Sequence, residues 1–151
     1  MDLKVIETGN GGDLIYEGKD LTVIEGFGNM PYLAMFGGNI EQDTPSVRLA
    51  EEQAFDWWGN SLLMNNDKSI QFNSLTERTL QNTALNSAGR LQIIQAVQKD
   101  LEFMKPFAQV NVDVSIISND RVMISITLTE PQNQQEKKYI YIWDGTLKDL
   151  S

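Results

Sequence analysis

The C-terminal part of the chain carries two different spacings of hydrophobic residues, one after the other. Between residues 88 and 104, apolar side chains recur every three or four positions, which is the spacing of one face of an α-helix. Between residues 110 and 143, most alternate with polar ones, as in a strand with one buried side. This pattern predicts a long amphipathic helix and strands at 110–116, 122–128 and 138–143. The apolar face of the helix consists of Leu91, Ile94, Val97, Leu101 and Met104.

The first two predicted strands each have one apolar and one polar face. The even-numbered residues from 110 to 116 are aliphatic, and the odd-numbered residues between them are Asn111, Asp113 and Ser115. Residues 122–128 repeat this alternation, and residues 118–121 are typical of a hairpin turn. We therefore expect an antiparallel sheet that the helices cover on one side.

The N-terminal part is less regular. Residues 2–25 contain three short apolar stretches separated by glycine-containing turns, which predicts a β-meander. The apolar run that opens residues 32–43 is too short to assign by its period. Residues 51–58 favour one or two helical turns, which Gly59 and Asn60 would end, since both tolerate left-handed dihedrals.

A second helix is predicted ahead of the long one. Ser74 and Glu77 have the spacing of a capping box, in which each side chain accepts a hydrogen bond from the backbone N–H of the other. This predicts a helix over residues 75–86. Gly89 then permits a kink or a short break, and Pro106 ends the long helix because the residue before a proline is disfavoured in helical dihedrals.

These elements together predict an α+β fold. We expect one domain over residues 1–151, since this length is typical of a single domain and buries a sizeable core. Its parts are a short N-terminal β-meander in residues 1–43 and a helix and sheet core in residues 44–151. In that core, a middle helical segment and the amphipathic helices pack with the three-stranded antiparallel sheet.

The composition excludes several kinds of chemistry. The chain has no histidine and no cysteine. Disulfides, thiol nucleophiles, histidine-based triads and zinc sites of the usual ligand types are therefore absent. Gly26-Phe27-Gly28 is an isolated G-x-G without a phosphate-loop motif around it, so we expect no cofactor.

The charge limits the kinds of partner. The net charge of −9 repels phosphate backbones and anionic membrane surfaces, so we expect neither nucleic acid nor a membrane as a partner. No apolar stretch approaches the roughly 20 residues that span a bilayer. Residues 1–4 have neither a basic run nor an apolar segment of a signal peptide, so we expect a protein made in the cytosol.

Carboxylates are the remaining candidates for catalysis, and aromatic residues are the candidates for binding. Glu51, Glu52 and Asp56 are compatible with a glycan-hydrolysing pair, but a solvated helix face explains them more simply. Adjacent tryptophans, Trp57 and Trp58, point about 100° apart on a helical turn, so either both pack internally or one does so while the other contacts a partner. Tyr139, Tyr141 and Trp143 raise the same question on the last strand, whose edge would offer backbone groups to another chain.

Several stretches resemble one family. GDLI at 12–15, GKDL at 18–21 and IEG at 24–26 resemble the opening of phage baseplate wedge proteins from contractile tails. AFDWWGN at 54–60 is similar to a "WWGD"-type motif of the Mu-like branch. The C-terminal order of helix, hairpin and closing strand matches the layout of that family, so the resemblance covers nearly the whole chain.

The resemblance implies a structural role without catalysis. Such proteins, some of which have been labelled lysozyme-like, are present in several copies in the inner baseplate, where they contact other wedge subunits and connect to the tail sheath. Type VI secretion machines and R-type bacteriocins use similar subunits. The implied location is the host cytoplasm during assembly and then the virion tail baseplate.

One position departs from the family pattern. Related proteins often carry Glu-Pro-Arg just before the hairpin, where it helps to join the wedge, and this chain has Lys105, Pro106 and Phe107 instead. The proline is kept and the charge pattern is lost. We name these three residues as interaction candidates, together with Trp57, Trp58, Tyr139, Tyr141 and Trp143.

Two alternative functions stay open at the level of the sequence. A small acidic inhibitor or immunity-type protein would bind one basic enzyme tightly. A carboxylate-based cell-wall hydrolase would place Glu51, Glu52 or Asp56 in a cleft. The wedge interpretation predicts instead several surfaces of modest affinity.

Overall fold

The structure is a computed structural model that describes residues 2–7, 12–24, 26–37, 74–132 and 134–145. The helical turns predicted at 51–58 and the boundary between residues 43 and 44 lie outside these ranges. The elements are β1 Asp2–Leu3, β2 Val5–Glu7, β3 Gly12–Leu14, β4 Tyr16–Glu17, β5 Asp20–Leu21, β6 Val23–Ile24, α1 Met30–Phe36, α2 Leu75–Asn82, α3 Ser87–Asp100, a 3₁₀ helix Glu102–Met104, β7 Gln109–Ile116, β8 Arg121–Thr129 and β9 Glu136–Asp144. This combination confirms the predicted α+β class.

The three C-terminal strands form the predicted antiparallel sheet, in the order β7-β8-β9. Each strand extends the predicted range by one or two residues at an end. The register pairs Val114 with Ile124, and Ile124 with Tyr141. Since side chains alternate along a strand, this register puts the aliphatic residues of β7 and β8 on one face with the aromatic residues of β9. The predicted hairpin turn is also present, because β7 ends at Ile116 and β8 begins at Arg121.

The hydrophobic core lies between that face and the helices. Its members from β8 are fully or almost fully buried: Val122, Ile124, Ile126 and Leu128. Ile93 and Val97 of α3, Leu80 of α2 and Met35 of α1 join them in one cluster. The middle strand thus supplies a complete apolar face, and the helices cover it as the alternation predicts.

The long helix ends earlier than predicted. It stops at Asp100, and the chain continues into the 3₁₀ helix after Leu101, whose φ of −93° and ψ of 5° depart from α-helical values. Leu101 and Met104 are buried, but they lie beyond the end of α3, in and next to the 3₁₀ helix. Their positions therefore do not show which face of α3 is buried. The buried face is centred on Ile93 and Val97, and the placement of Leu91 on it was wrong because its side chain is 57% exposed.

The break between the two helices also lies at a different place. It falls at residues 83–86, and Gly89 belongs to the first turn of α3. A Cβ atom on Gly89 would collide with the carbonyl oxygen of Ala84, so the connection can fold back closely only where this residue has no side chain. Asn86 caps α3, since its Oδ1 accepts a hydrogen bond from the Gly89 N–H at 2.9 Å.

The predicted capping box does not form. Ser74 precedes α2 with left-handed dihedrals, φ 44° and ψ 45°, and makes no side-chain cap bond. Asp100 of α3 takes that place, since its Oδ1 accepts from the Leu75 N–H at 3.0 Å and its Oδ2 accepts from the Thr76 N–H at 2.7 Å. The Thr76 hydroxyl donates to the same Oδ2 at 2.7 Å. The cap of α2 therefore comes from a residue 25 positions away, out of reach of local sequence rules.

Residues 2–24 are called the N-terminal β unit, and its described residues, 2–7 and 12–24, form a broken version of the predicted meander. Each of its three segments changes partner half-way, giving the two-stranded pairs β1-β6, β2-β3 and β4-β5. The three segments meet at a ring of backbone hydrogen bonds between Lys4, Ile15 and Thr22, with N···O distances of 2.8, 2.9 and 3.4 Å. This ring replaces continuous ladders.

Helix α1 connects this unit to the core. Residues 32–36, which the sequence left unassigned, belong to it, and Pro31 occupies its first turn, where the missing N–H costs nothing. The helix packs against α2 and α3. None of the helices in the described ranges is long and apolar enough to cross a membrane.

Candidate interaction surface

Strand β9 places its aromatic interaction candidates on the inner face of the sheet. Tyr139, Tyr141 and Trp143 lie opposite Ile126, Ile124 and Val122 of β8 and are partly buried against the core. They thus contribute to packing, and a contact of these rings with a partner stays a prediction.

Tyr141 is the centre of an aromatic cluster with helix α1. Its ring centroid lies 6.3 Å from that of Tyr32 and 6.1 Å from that of Phe36, within the range of favourable ring pairs. Burial, and then the neighbouring Tyr139, raises the pKa of Tyr141. Burial and the Glu130 carboxylate raise the pKa of Tyr139. Both phenols therefore stay neutral and act as apolar rings with a polar tip.

The outer face of β9 exposes apolar residues that the sequence analysis did not select. Ile140 is 54% and Ile142 is 63% exposed, and Ile142 lies opposite the half-buried Met123 of β8. The signal was present, since residues 139–143 are uninterrupted apolar residues, whereas β7 and β8 carry polar residues on one face. An apolar outer face on a solvated sheet is typical of a contact surface.

Charged residues lie at both ends of this apolar strip. At one end Arg121 donates from Nε to Asp144 Oδ2 at 2.7 Å, directly across the β8–β9 pair. Lys138 lies at the other end, two positions before Ile140 on the same face, and is exposed. We call Ile140, Ile142, Met123 and Lys138 the outer β9 strip.

The two edges of the sheet differ in how they are protected. Arg90 of α3 covers the edge of β7, since its Nε donates to the carbonyl oxygen of Val114 at 2.5 Å and its Nη2 contacts Asp113 Oδ1 at 3.1 Å. On β9, the backbone of residues 137–143 receives hydrogen bonds from no described residue outside β8. Among the described residues, the alternating backbone N–H and C=O groups of residues 137–143 that face away from β8 thus have no partner, which is the arrangement to which another chain can add a strand.

A groove runs beside this edge. It has a volume of about 310 Å³ and separates residues 138–141 from the N-terminal β unit and α1. Lys4 and Tyr32 line one wall, and Lys138 and Ile140 line the other. Lys4 and Lys138 are the charged residues among those that line this groove, on a protein that is acidic as a whole.

The corner at residues 105–107 presents a separate exposed aromatic side chain. Phe107 is 61% exposed, while its backbone N–H is fixed by a hydrogen bond to the Met104 carbonyl at 2.9 Å. Lys105 and Pro106 are exposed beside it. The corner precedes Gln109, whose partner Thr129 pairs with Glu136, so it lies at the end of the sheet opposite Asp144.

An ion cluster flanks this corner. Glu102 contacts Lys99 Nζ at 2.6 Å and Lys105 Nζ at 3.6 Å. The hydrogen bond and charge of Lys99, with the charge of Lys105, lower the pKa of Glu102. The ammonium group of Lys105 thus already has Glu102 as a neighbour. The exposed ring of Phe107 is the better candidate for contact with a partner.

The remaining predicted candidates lie outside the described residues. These are Trp57 and Trp58, and the carboxylates of the hydrolase alternative, Glu51, Glu52 and Asp56. Within the described ranges no group of three or more acidic side chains is arranged to hold a metal ion. Comparisons of the chain with models of protein families, with curated proteins and with solved structures found no match.

Proposed function

We propose that the protein is a non-enzymatic structural subunit of the baseplate wedge in a phage contractile tail or a related injection machine. The observation that supports this proposal most directly is the edge of β9, which pairs with no described strand other than β8, with the outer β9 strip beside it. A second support is the resemblance in residues 12–26 and 54–60, together with the C-terminal order of helix, hairpin and closing strand.

The edge of β9 suits a contact in which an extended segment of another subunit adds a strand to the sheet. The backbone groups of residues 137–143 supply the hydrogen bonds, and side chains on alternate positions supply the specificity. Ile140 and Ile142 then pack against the outer face of the added strand. Lys138 and Lys4 favour acidic residues where that strand passes through the groove.

Further surfaces fit a subunit that has several neighbours. Phe107 offers an aromatic anchor at the opposite end of the sheet, and aromatic residues often dominate the free energy of such contacts. Trp57 and Trp58 are the candidates in the family-like segment. Several copies of the protein, each binding other wedge subunits and the sheath, would assemble in the host cytoplasm and remain in the tail baseplate.

A pull-down tests the proposal. The tagged full chain is co-expressed with the products of the neighbouring genes, and co-purified proteins are identified by mass spectrometry. We expect large wedge and sheath subunits. An Ile140→Ser/Ile142→Ser double variant should reduce their recovery about tenfold, since two apolar contacts are lost. Leu91→Ser, which removes an equally exposed leucine from α3, is the matched control.

Two results would contradict the proposed role, and a third would exclude only the proposed surface. Tight one-to-one binding of a small basic enzyme would favour the inhibitor alternative. Clearing of peptidoglycan by the purified protein, lost on substitution of Glu51, Glu52 or Asp56, would favour the hydrolase. If the double variant recovers wedge subunits as well as the wild type does, the subunit role would stand. The β9 edge would then be excluded as the contact surface.

A further inference from the structure

The N-terminal β unit contains no buried side chain among those that the structure describes in it. Its exposed large hydrophobic residues are Leu3, Ile6, Leu14, Tyr16 and Val23. Single exposed hydrophobic residues are ordinary on soluble proteins. Three short strand pairs without a buried side chain are different, because such pairs gain little of the apolar burial that stabilises a sheet.

Leu3 and Val23 form an apolar pair that points away from the rest of the molecule. They are direct partners in the β1–β6 register, next to the pair Asp2 and Ile24. The Ile24 side chain packs on Gly28, and Asp2 Oδ2 accepts from Asn29 Nδ2 at 2.8 Å, so that second pair faces α1. Because neighbouring positions alternate between faces, Leu3 and Val23 lie on the opposite face.

The charge of the unit determines which partner fits it. Residues 2–24 carry five carboxylates and two lysines, a net charge of −3. The described carboxylates are exposed, at Asp2, Asp13, Glu17 and Asp20. Their charge acts over about a Debye length, roughly 8 Å at physiological salt, so they attract cationic groups that come close to the unit. A second copy of this unit and a phosphate-rich surface are both repelled, whereas lysine and arginine side chains are attracted.

We propose that the N-terminal β unit is a docking module for another protein whose contact surface has an apolar centre flanked by lysine or arginine residues. Leu3 and Val23 supply the apolar contact, and the carboxylates supply orientation and association rate. This inference rests on the proposed function only in taking the partner to be a protein. It uses residues distinct from those of the β9 edge.

An NMR titration tests the proposal on the isotope-labelled full chain. The probe is a short amphipathic helical peptide of leucine and lysine, and the same peptide with glutamate in place of lysine is the charge control. The lysine peptide should shift amide signals of residues 2–24, and added salt should weaken its binding. Leu3→Ser/Val23→Ser should weaken binding about tenfold, since two apolar contacts are lost. Leu91→Ser should leave binding unchanged.

A second variant protects the test against loss of the unit's fold. Val23→Ser alone removes one side chain that is 50% exposed and makes a smaller change, and it should also weaken binding. The proposal is overturned by absent shifts, by shifts centred outside residues 2–24, or by equal binding of the glutamate peptide. A concentration-dependent dimer in sedimentation that the double variant abolishes would also overturn it, since the occupant would then be a second copy. No baseplate subunit takes part, so this result and the pull-down are independent.

Discussion

At the scale of single residues, Asp100 is a buried carboxylate that accepts three hydrogen bonds. Its carboxylate joins the end of α3 to the start of α2 through two backbone N–H groups and the buried Thr76 hydroxyl. Negative charge at a helix N-terminus is favourable, because the first N–H groups of a helix have no internal partner. Burial opposes this by raising the pKa of Asp100, while Thr76, Leu75 and Arg78 lower it.

Replacement of Asp100 by alanine should destabilise the protein by about 2 kcal/mol, because three donors lose their acceptor in a buried site. Asp100→Asn should cost less, since one amide oxygen still accepts. The measurement is urea unfolding followed by circular dichroism. Glu17→Ala, at an exposed position, is the control and should change the free energy of unfolding by less than about 0.5 kcal/mol. A wild-type free energy in Asp100→Ala would show that the cap contributes nothing.

The same variants give a pH dependence whose sign follows from burial. The folded chain holds the Asp100 proton more tightly than the unfolded chain, since the net shift of this pKa is upward from 3.8. The stabilisation that this proton-binding difference gives the folded state is therefore fully present below pH 3.8. It is lost as the pH rises through the raised pKa of Asp100. The stability difference between wild type and Asp100→Asn should fall over that window. A difference that rises with pH would mean that the hydrogen bonds outweigh burial.

At the scale of elements, residue patterns predicted the strands better than the helix ends. Alternation fixed β7 and β8 because each has one apolar and one polar face, so a one-residue shift would expose every aliphatic side chain. The prediction of the buried helix face was wrong at Leu91. It assumed one continuous helix as far as Met104, whereas a 3₁₀ turn follows Asp100 and changes the spacing of Leu101 and Met104. The sequence did not predict the cap of α2, because the residues next to Asp100 in the chain indicate only a charged residue on a helix. Its contact with residues 75 and 76 depends on how the two helices pack.

For strand β9, the sequence indicated a candidate interaction element but not which of its faces is exposed. Tyr139, Tyr141 and Trp143 drew attention as aromatic residues, and the register places them inward. Ile140 and Ile142 occupy the solvated face of the same strand. Since residues 139–143 are all apolar, only the pairing with β8 decides which set is buried. The sequence therefore indicates the strand, and tertiary structure decides which residues are accessible.

The turn between α2 and α3 gives a prediction with an unusual sign. Glycine to alanine normally stabilises a helix by about 1 kcal/mol. At Gly89 we expect a loss of about 1–3 kcal/mol instead, because the added methyl group meets the Ala84 carbonyl and forces the two helices apart. Thermal unfolding measures the effect. Gln98→Ala, at an exposed position of the same helix, is the control, and a stabilised Gly89→Ala variant would show that the connection relaxes freely.

At the scale of the whole molecule, stability is concentrated in the sheet and its helices. The fully buried side chains lie in α1 to α3, the 3₁₀ helix, β7, β8 and the residues directly beside these elements. The N-terminal β unit is held by other means. Asn29, which is buried, accepts from the Val5 N–H at 3.1 Å and donates to Asp2 Oδ2 at 2.8 Å and to the Leu3 carbonyl at 2.5 Å. One amide side chain thus connects the unit to the start of α1.

This division predicts two levels of amide hydrogen exchange. The Lys4 and Thr22 amides are hydrogen-bonded, yet they should exchange at least about a hundredfold faster than those of Ile124 and Ile126, because none of the described residues within the unit is buried. Asn29→Ala should accelerate exchange in residues 2–24 and leave β8 nearly unchanged, while Asn82→Ala, an exposed asparagine on α2, should change neither. Equal protection in the unit and in β8 would mean that they unfold together. If the unit opens by itself, it would become ordered when it binds the proposed partner protein. The entropy lost in that ordering would lower the affinity, while the stability of the core would not change.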